Sequence, residues 1–594
     1  MCGIVGYIGE RQAQPILLNC LGHLEYRGYD SCGIAVGSDS IKVYKDAIRV
    51  AEFKNTMPQF DGCLGIGHTR WATHGQPSRI NAHPHGDCQN NITVVHNGII
   101  NNFQSLKRQL IDEGHNFVSE TDSEVIPHLI EKYYAGDLEK AVERAVADID
   151  GSYAIIVMGY DEPMLITARK DSPLIIALGD RENYIASDVP AILDYASRVI
   201  YLEDGDIATV TASSVSFRNG GKAVKRAENK VLWTVEEARK GGYEHYMLKE
   251  IHEQPKVIRD TLGSWLVSGE PLDNLKTMCE NGNEALLILA CGTSYHAAMV
   301  GKYIVEELLG LPVRVELASE FSYYMRTLPQ TMAIAITQSG ETADVLMAIK
   351  KLKEVGCQVL AITNVNASSV SRLADRTITT MAGPEISVAA TKSFTAQLMV
   401  LYWLMISYAR VEAKRQAELI LQLRHMASQV IQVLDSESMI AECAALLADY
   451  DDIFFIGRGI NYPVALEGAL KLKEVSYIHA EGYAAGELKH GPFALLGRDK
   501  PVISIIAQDK THQSMLTSIR EIKARGSPLI ALIEEGDDSV EGLADCVITV
   551  PRVDPLFSPV VNTVALQLLA YHIAKKRGCP IDFPKNLAKS VTVE

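Results

Sequence analysis

The sequence contains no C-x-x-C pair, no uninterrupted apolar run of the ~20 residues that cross a bilayer, and fewer basic than acidic residues. Each shortage excludes something. The 11 cysteines are scattered, and no Cys/His spacing fits a zinc module. That usage points to a reduced, cytoplasmic chain rather than a disulfide scaffold. The most apolar stretch, 394–409, is interrupted by Thr395, Gln397 and Ser407, so it reads as a buried or interface helix and no membrane partner is expected. Lys and Arg total 57 against 73 Asp and Glu, a net charge of −16. A surface of that sign repels phosphate backbones, so no nucleic-acid partner is expected, although one local basic pocket remains permissible. Met1-Cys2-Gly3 leads directly into a strand-like 4–8, with no secretory pattern before it.

What is present is a long chain of ordinary globular composition. Its 594 residues exceed a single core and predict roughly three to five domains. Residues 2–217 hold short β-rich runs at 4–8, 33–36, 63–69, 92–96, 152–158 and 165–168. Helical patterns interrupt them at 15–25, 102–113, 122–134 and 138–149. That alternation predicts an α+β domain with helices outside its sheets. Residues 218–245, rich in charge, Gly and Asn, read as a linker.

The rest repeats itself. Placing Gly292 on Gly459 requires an offset of 459 − 292 = 167. Gln338 on Gln508, Ala361 on Ala531 and Ile378 on Ile548 each require 170. A near-constant offset through four apolar strands separated by helical patterns predicts two parallel-sheet α/β domains, at 276–416 and 443–584, followed by a tail at 585–594. Such sheets bind ligands at the carboxyl ends of their strands.

Candidate chemistry falls in two places. If Met1 is removed, Cys2 carries a nucleophile and its own α-amino base on one residue. A lone Cys2 is more often a small buried residue, but other motifs accompany it. In His68-Thr69-Arg70-Trp71-Ala72-Thr73-His74-Gly75, Arg70 offers a planar fork for a carboxylate. Asn97-Gly98 ends a strand where an oxyanion needs donors. Asp122, in Ser119-Glu120-Thr121-Asp122, can receive an ammonium. Taken singly these are a surface charge, a hairpin turn and a helix cap. In the repeated half, Cys291-Gly292-Thr293-Ser294 and Thr337-Gln338-Ser339-Gly340-Glu341-Thr342 each follow a strand and open a helix, as a phosphate cradle requires. Lys471 and Glu474 share one helix face, and His490 suits proton transfer near neutrality. Histidines 68, 74, 83, 85 and 96 match no metal motif.

Cys2-Gly3-Ile4-Val5-Gly6, Leu24-Glu25-Tyr26-Arg27-Gly28-Tyr29-Asp30-Ser31, the 68–75 run, Asn81-Ala82-His83-Pro84-His85, His96-Asn97-Gly98 and Glu120-Thr121-Asp122 resemble the N-terminal-nucleophile glutamine amidotransferases. With the repeated half, nearly the whole chain resembles the glucosamine-6-phosphate synthase family. The resemblance implies an αββα glutaminase domain followed by two sugar-isomerase domains. It makes Cys2 the nucleophile and Asn97 and Gly98 the oxyanion hole. Arg70, Trp71, Thr73, His74, Gly98 and Asp122 then contact glutamine. It assigns Thr293, Ser294, Thr337, Gln338, Ser339 and Thr342 to the sugar phosphate, with Val388 and Ala588 nearby. Lys589 becomes the Schiff-base lysine, Glu474 the proton carrier supported by Lys471, and His490 a ring-opening group supplied by the partner of a homodimer. It implies fructose-6-phosphate as the second substrate, no cofactor and no metal, with Trp71 and the tail gating an ammonia passage. Thr337 and Ala390 stand where the family usually has Ser, and Cys32 where it usually has Ala. The competing readings are an isomerase or deglycase with a silent glutaminase, which the full front set opposes, and a sugar-phosphate sensor, which lacks a basic reader domain.

Overall fold

In the computed structural model, the described residues are 2–72, 74–231, 233, 234, 237, 239–268, 286–324 and 332–592. The chain divides into two compact units. One takes residues up to 238 with 341–343 and the residues from 590 on; the other takes 239–340 and 344–589.

The first unit has four layers built by strand alternation. Along Gly151–Gly159, Ala154, Ile156 and Met158 point one way and Tyr153, Ile155 and Val157 the other. The first set meets Ile4, Ala35 and Ile66 of a second sheet in an inter-sheet core. The second set packs under helices Phe103–Asp112, Val125–Tyr133 and Leu138–Ala147. Helix Ala13–His23 covers the other sheet's outer face, where Gly65 and Gly67 admit Leu17 and Leu21. The eight-stranded sheet runs Glu228–Lys230, Arg198–Tyr201, Ile175–Leu178, Asn183–Ala186, Gly3–Ile8, Leu64–Arg70, Ser31–Gly37, Ile41–Asp46. The seven-stranded sheet runs Lys222–Val224, Val215–Asn219, Asp206–Val210, Leu165–Lys170, Gly151–Gly159, Ile92–Ile100, His85–Gly86.

The expected linker at 218–245 begins inside these sheets. Asn219 pairs with Lys222 across a two-residue loop whose Gly220 and Gly221 both have positive φ, 56° and 75°. Asn-Gly-Gly is therefore a hairpin turn that closes one sheet, and Glu228–Lys230 then edges the other. Charge and glycine here mark a solvated sheet edge.

In the second unit each copy of the repeat is a five-stranded parallel sheet. The first runs Val313–Leu317, Leu286–Ala290, Met332–Ile336, Gln358–Thr363, Arg376–Thr379. The second runs His479–Ala484, Asp452–Gly457, Val502–Ile506, Leu529–Glu534, Cys546–Val550. Both have the chain order 2-1-3-4-5, so the winding reverses between the first and third strands of each copy. The expected first domain, 276–416, has its residues 276–285 outside the described set, and the tail has 593 and 594 outside it.

The two copies share one core. Helix Lys392–Ser407 is buried from Lys392 through Ile406, its polar Lys392, Ser393, Thr395 and Gln397 included, in keeping with the reading of a buried helix. The segment Pro555–Lys576 is long and apolar enough to cross a membrane by composition, but 94% of its apolar window is packed inside the unit. It contacts the helix Tyr462–Ser476 closely, because Gly468 leaves room for Leu566 and Phe455. One expectation is corrected here. Cys443 and Cys546 form a disulfide with Cα atoms 6.1 Å apart, although the scattered cysteines read as reduced. Helix Glu437–Leu447 lies across the strand Cys546–Val550 and brings together residues 103 apart in sequence, which no local spacing announces.

Candidate active sites

Cys2 leads into the strand Gly3–Ile8, which lies beside the strand ending at Arg70. This pairing sets Cys2 Sγ 3.3 Å from the Trp71 amide, which donates to it, and 3.6 Å from the Trp71 carbonyl. Asn97, on the strand Ile92–Ile100 of the other sheet, donates from Nδ2 to the Cys2 carbonyl at 2.8 Å. At Gly98 φ is +137°, and a Cβ would lie 2.0 Å from the Ser152 carbonyl, so glycine is required there. Burial pushes the Cys2 thiol up and Asp122 adds to that; the Trp71 amide and Arg70 act in the opposite sense. A thiol held protonated this way needs a base at hand.

Arg70 is buried and donates to the carbonyls of His74, Gly75 at 3.1 Å and Gln76 at 3.5 Å. It thus fixes the loop that carries His74, an attachment its residue type alone does not reveal. Asp122 is buried, accepts from the Ile100 amide at 2.9 Å and lies 4.0 Å from His74 Nδ1. Thr73 lies outside the described residues. Four of the five histidines are buried together: His68 stacks on His83, His85 meets His83 edge-on, and the His96 backbone bonds both His68 and His83. His68 and His83 lie 4.0 Å apart between ring centroids, and burial drives His68 to about 3 and His83 and His85 well below the usual range. His96 bonds Ser123 at 2.7 Å and His85 bonds Thr121 at 3.1 Å, so these neutral rings brace the loop that presents Asp122.

In the second unit the switch point between the first and third strands of the first copy carries both candidate phosphate loops. Gly292 has φ +54° and opens helix Gly292–Leu309 with Thr293 and Ser294 in its first turn. Ser294 Oγ is fixed by Gln397 Nε2 at 2.9 Å. Thr337 is buried at the end of Met332–Ile336, and the Gln338 carbonyl accepts from the Asn364 amide at 3.0 Å. Gly340 has φ +69°, and a Cβ would collide with Ser368 Oγ at 2.1 Å.

The second copy reaches this site with one helix. Lys471 is buried and donates to Glu474 at 2.6 Å and to Thr293 Oγ1 at 3.0 Å, and lies 3.5 Å from Glu467. Glu467, fully buried, accepts from Thr293 Oγ1 at 3.1 Å and from His296 at 2.7 Å. Sequence reasoning missed Glu467, yet it stands four residues before Lys471 on the same helix face and was findable by that spacing.

Lys589 sits against Glu385, Nζ to Oε2 at 2.5 Å. Glu385 also accepts from the amides of Thr391 at 2.9 Å and Ser393 at 3.0 Å, and from Ser393 Oγ at 2.8 Å. Burial alone would raise this carboxyl; Lys589 and the amides outweigh it and hold it down to about 2. No motif flags Glu385, a lone acid in a loop. The approach to the tail is anchored: Asp582 caps helix Tyr246–His252 through the amides of Tyr246 and Met247, and its carbonyl takes the Val388 amide at 3.0 Å. Val388 is buried and Ala588 half-buried beside Lys589 in sequence. His490, in contrast, is exposed and makes no hydrogen bond or ion pair among the described residues; within this chain it does not join Lys471, Glu474 and Lys589.

Glu250 lies under the Glu385 loop, accepting from the amides of Ile386 at 2.6 Å and Ser387 at 3.1 Å. Burial, reinforced by the Glu385 charge, pushes its carboxyl up to about 8. The folded chain then keeps a proton that the unfolded chain gives up above an ordinary carboxyl pKa of about 4.3, so stability falls as pH rises between those values, by up to about 1.4 kcal/mol per unit. Glu250→Gln removes this slope. Its melting temperature relative to the native chain is expected to climb from pH 6 to pH 8 and then level off; a pH-independent difference would contradict the assignment.

Comparison with known proteins fits this layout. The family description "SIS domain" matches residues 282–407 and 446–576, and "Glutamine amidotransferase domain" matches 68–194. A glutamine–fructose-6-phosphate aminotransferase (isomerizing) of Caldanaerobacter subterraneus subsp. tengcongensis is 47% identical over 608 residues, covering 100% of both chains. One of the same name from Methanothermobacter thermautotrophicus is 48% identical over 602 residues, again at 100% of both. Among solved structures, the C-terminal domain of the Francisella tularensis glucosamine-fructose-6-phosphate aminotransferase is 37% identical with a TM-score of 0.55, covering 58% of this chain and 99% of that one.

Proposed function

This chain belongs to the glutamine–fructose-6-phosphate aminotransferase (isomerizing) family, and we propose that its residues divide the family's reaction between the two units in the following way. The enzyme converts glutamine and fructose-6-phosphate to glutamate and glucosamine-6-phosphate.

With Met1 removed, the α-amino group of Cys2 takes the thiol proton, and the sulfur attacks the glutamine carboxamide carbon. Arg70 and Asp122 hold the amino-acid carboxylate and ammonium, with Trp71, Thr73 and His74 around them. Asn97 Nδ2 leaves the Cys2 carbonyl and joins the Gly98 amide on the oxyanion. Ammonia departs, and water cleaves the thioester to glutamate. The phosphate sits on the loops bearing Thr293, Ser294, Thr337, Gln338, Ser339 and Thr342, with Val388 and Ala588 beside the sugar. The Lys589 amine adds to the C2 carbonyl of the open-chain ketose and water leaves. Ammonia replaces the lysine on C2. Glu474 then takes a proton from C1 and returns it to C2, while the O1 hydroxyl proton passes to the imine nitrogen, leaving an amine at C2 and an aldehyde at C1. Lys471, which donates to Glu474 at 2.6 Å, holds that carboxylate in position. We assign ring opening to His490 of a second copy in a homodimer, since within its own chain this histidine faces outward, and we place the enzyme in the cytoplasm.

The observation that supports this division most is that Thr293 of one repeat and Lys471 and Glu474 of the other form one hydrogen-bonded group around the buried Lys471 ammonium. A duplicated sheet needs both copies only if its site is shared between them. Product analysis tests the reading. Glutamine plus fructose-6-phosphate is expected to yield glutamate and glucosamine-6-phosphate in equal amounts, and isomerised sugar phosphate without amine would overturn it.

A further inference from the structure

Away from both sites, four side chains of the glutaminase unit converge from three separate segments. Cys88 lies in the turn between His85–Gly86 and Ile92–Ile100. His115 follows the helix Phe103–Asp112. His128 and Glu131 sit three apart on Val125–Tyr133. Their ligand atoms all lie within 4.8 Å of one another. Cys88 Sγ is 3.6 Å from His115 Nδ1 and 3.5 Å from His128 Nδ1, and His128 Nδ1 is 3.4 Å from Glu131 Oε2. A tetrahedral zinc ion with Zn–S near 2.3 Å and Zn–N or Zn–O near 2.1 Å has ligand-to-ligand edges of about 3.4–3.6 Å. Three of the six edges already have that length, while Cys88 to Glu131 and His115 to His128 lie within 4.8 Å. The remaining edge, His115 Nδ1 to Glu131 Oε2 at 2.8 Å, is hydrogen-bonded and needs to open by about half an ångström.

We propose that Cys88, His115, His128 and Glu131 form a structural zinc site. One thiolate, two imidazoles and one carboxylate close a tetrahedron, which suits a borderline-soft divalent ion and leaves no position for substrate. A second observation points the same way. His128 is 1% exposed, and its Nε2 has no hydrogen-bond partner among the described residues although it is buried 4.0 Å from Glu124 Oε1. A metal on Nδ1 fixes the proton on Nε2, directed at that carboxylate, which is the usual outer partner of a metal-bound histidine. Glu124 in turn accepts from the Val118 amide at 2.8 Å, the Ser119 amide at 2.7 Å and Ser119 Oγ at 2.7 Å. The ion therefore staples the Cys88 turn and the His115 segment to the helix that follows Asp122, and steadies the 118–122 loop through Glu124.

The test uses the full chain, stripped with chelator, desalted and titrated with Co²⁺ and separately with Zn²⁺. The native chain is expected to bind about one ion per chain, to show the intense visible bands of tetrahedral cobalt with a thiolate-to-cobalt band in the near ultraviolet, and to melt higher with zinc than with chelator. Cys88→Ser is expected to lose the thiolate band, and His115→Ala to bind zinc at least tenfold more weakly. Cys88 is exposed, so Cys88→Ser removes no core packing; the His115 ring packs against His128, 5.3 Å between centroids, so the metal-free melting temperature of His115→Ala is read beside its zinc affinity. A weak octahedral cobalt spectrum in the native chain, or the same zinc affinity in all three proteins, would overturn the site and leave a hydrogen-bonded cluster only.

Discussion

Cys2→Ala is expected to reduce glutamate release from glutamine by about 10³-fold or more, because no other group in the front site can carry the acyl intermediate. The substitution removes one sulfur from a site whose remaining parts are fixed independently. Asn97 reaches the Cys2 backbone carbonyl, not its side chain. Arg70 is held by the carbonyls of 74–76. Asp122 is held by the Ile100 amide and by the histidine-braced loop. Glutamine should therefore still bind, and fructose-6-phosphate should still load the other unit. The mass of the native chain should show Met1 absent, since a retained methionine acylates the amine that serves as base. Unchanged glutaminase activity in Cys2→Ala would remove this residue from its role.

Lys589→Arg is expected to abolish amino-sugar formation and borohydride trapping of fructose-6-phosphate on the chain, again by about 10³-fold or more. Arginine is the informative replacement. It keeps a cation against Glu385, whose carboxylate already collects two amides and a hydroxyl and would be left buried and unpaired in Lys589→Ala. It cannot form an imine. Glutamate release by Cys2 should persist in this variant. Trapping at another lysine, or synthesis retained in Lys589→Arg, would show that Lys589 serves only to neutralise Glu385.

The sequence announces those parts of the molecule that depend on local pattern. Three strands of each repeat are visible because each is a short, buried apolar run, and the fourth, Arg376–Thr379 and Cys546–Val550, is placed by the constant offset between Ile378 and Ile548. The fifth, Val313–Leu317 and its counterpart His479–Ala484, is not: both are edge strands, half-exposed and carrying Arg314, Glu316, His479 and Glu481. The same effect hides the hairpin at 215–224 within what reads as a linker. In the sites, residues set in motifs are legible, and Cys2, Arg70, Asn97 and Asp122 do converge. Glu385 and His296 are not, because each works through a partner far away in sequence, Lys589 and Glu467. Likewise Cys88, His115 and the pair His128 and Glu131 come from segments whose spacing matches no metal motif, while four of the five histidines that draw the eye in sequence are buried together, three of them in ring contact. The disulfide between Cys443 and Cys546 follows only from a helix crossing a sheet edge.

The central claim is that nitrogen freed at Cys2 is the nitrogen that reaches C2 of the sugar. The direct measurement supplies glutamine labelled with ¹⁵N in its amide, fructose-6-phosphate, and an excess of unlabelled ammonium, and reads the isotope in the product by mass. The account predicts glucosamine-6-phosphate carrying ¹⁵N with little dilution, in step with glutamate. Amino sugar bearing mainly unlabelled nitrogen, or glutamate accumulating with no amino sugar, would contradict it.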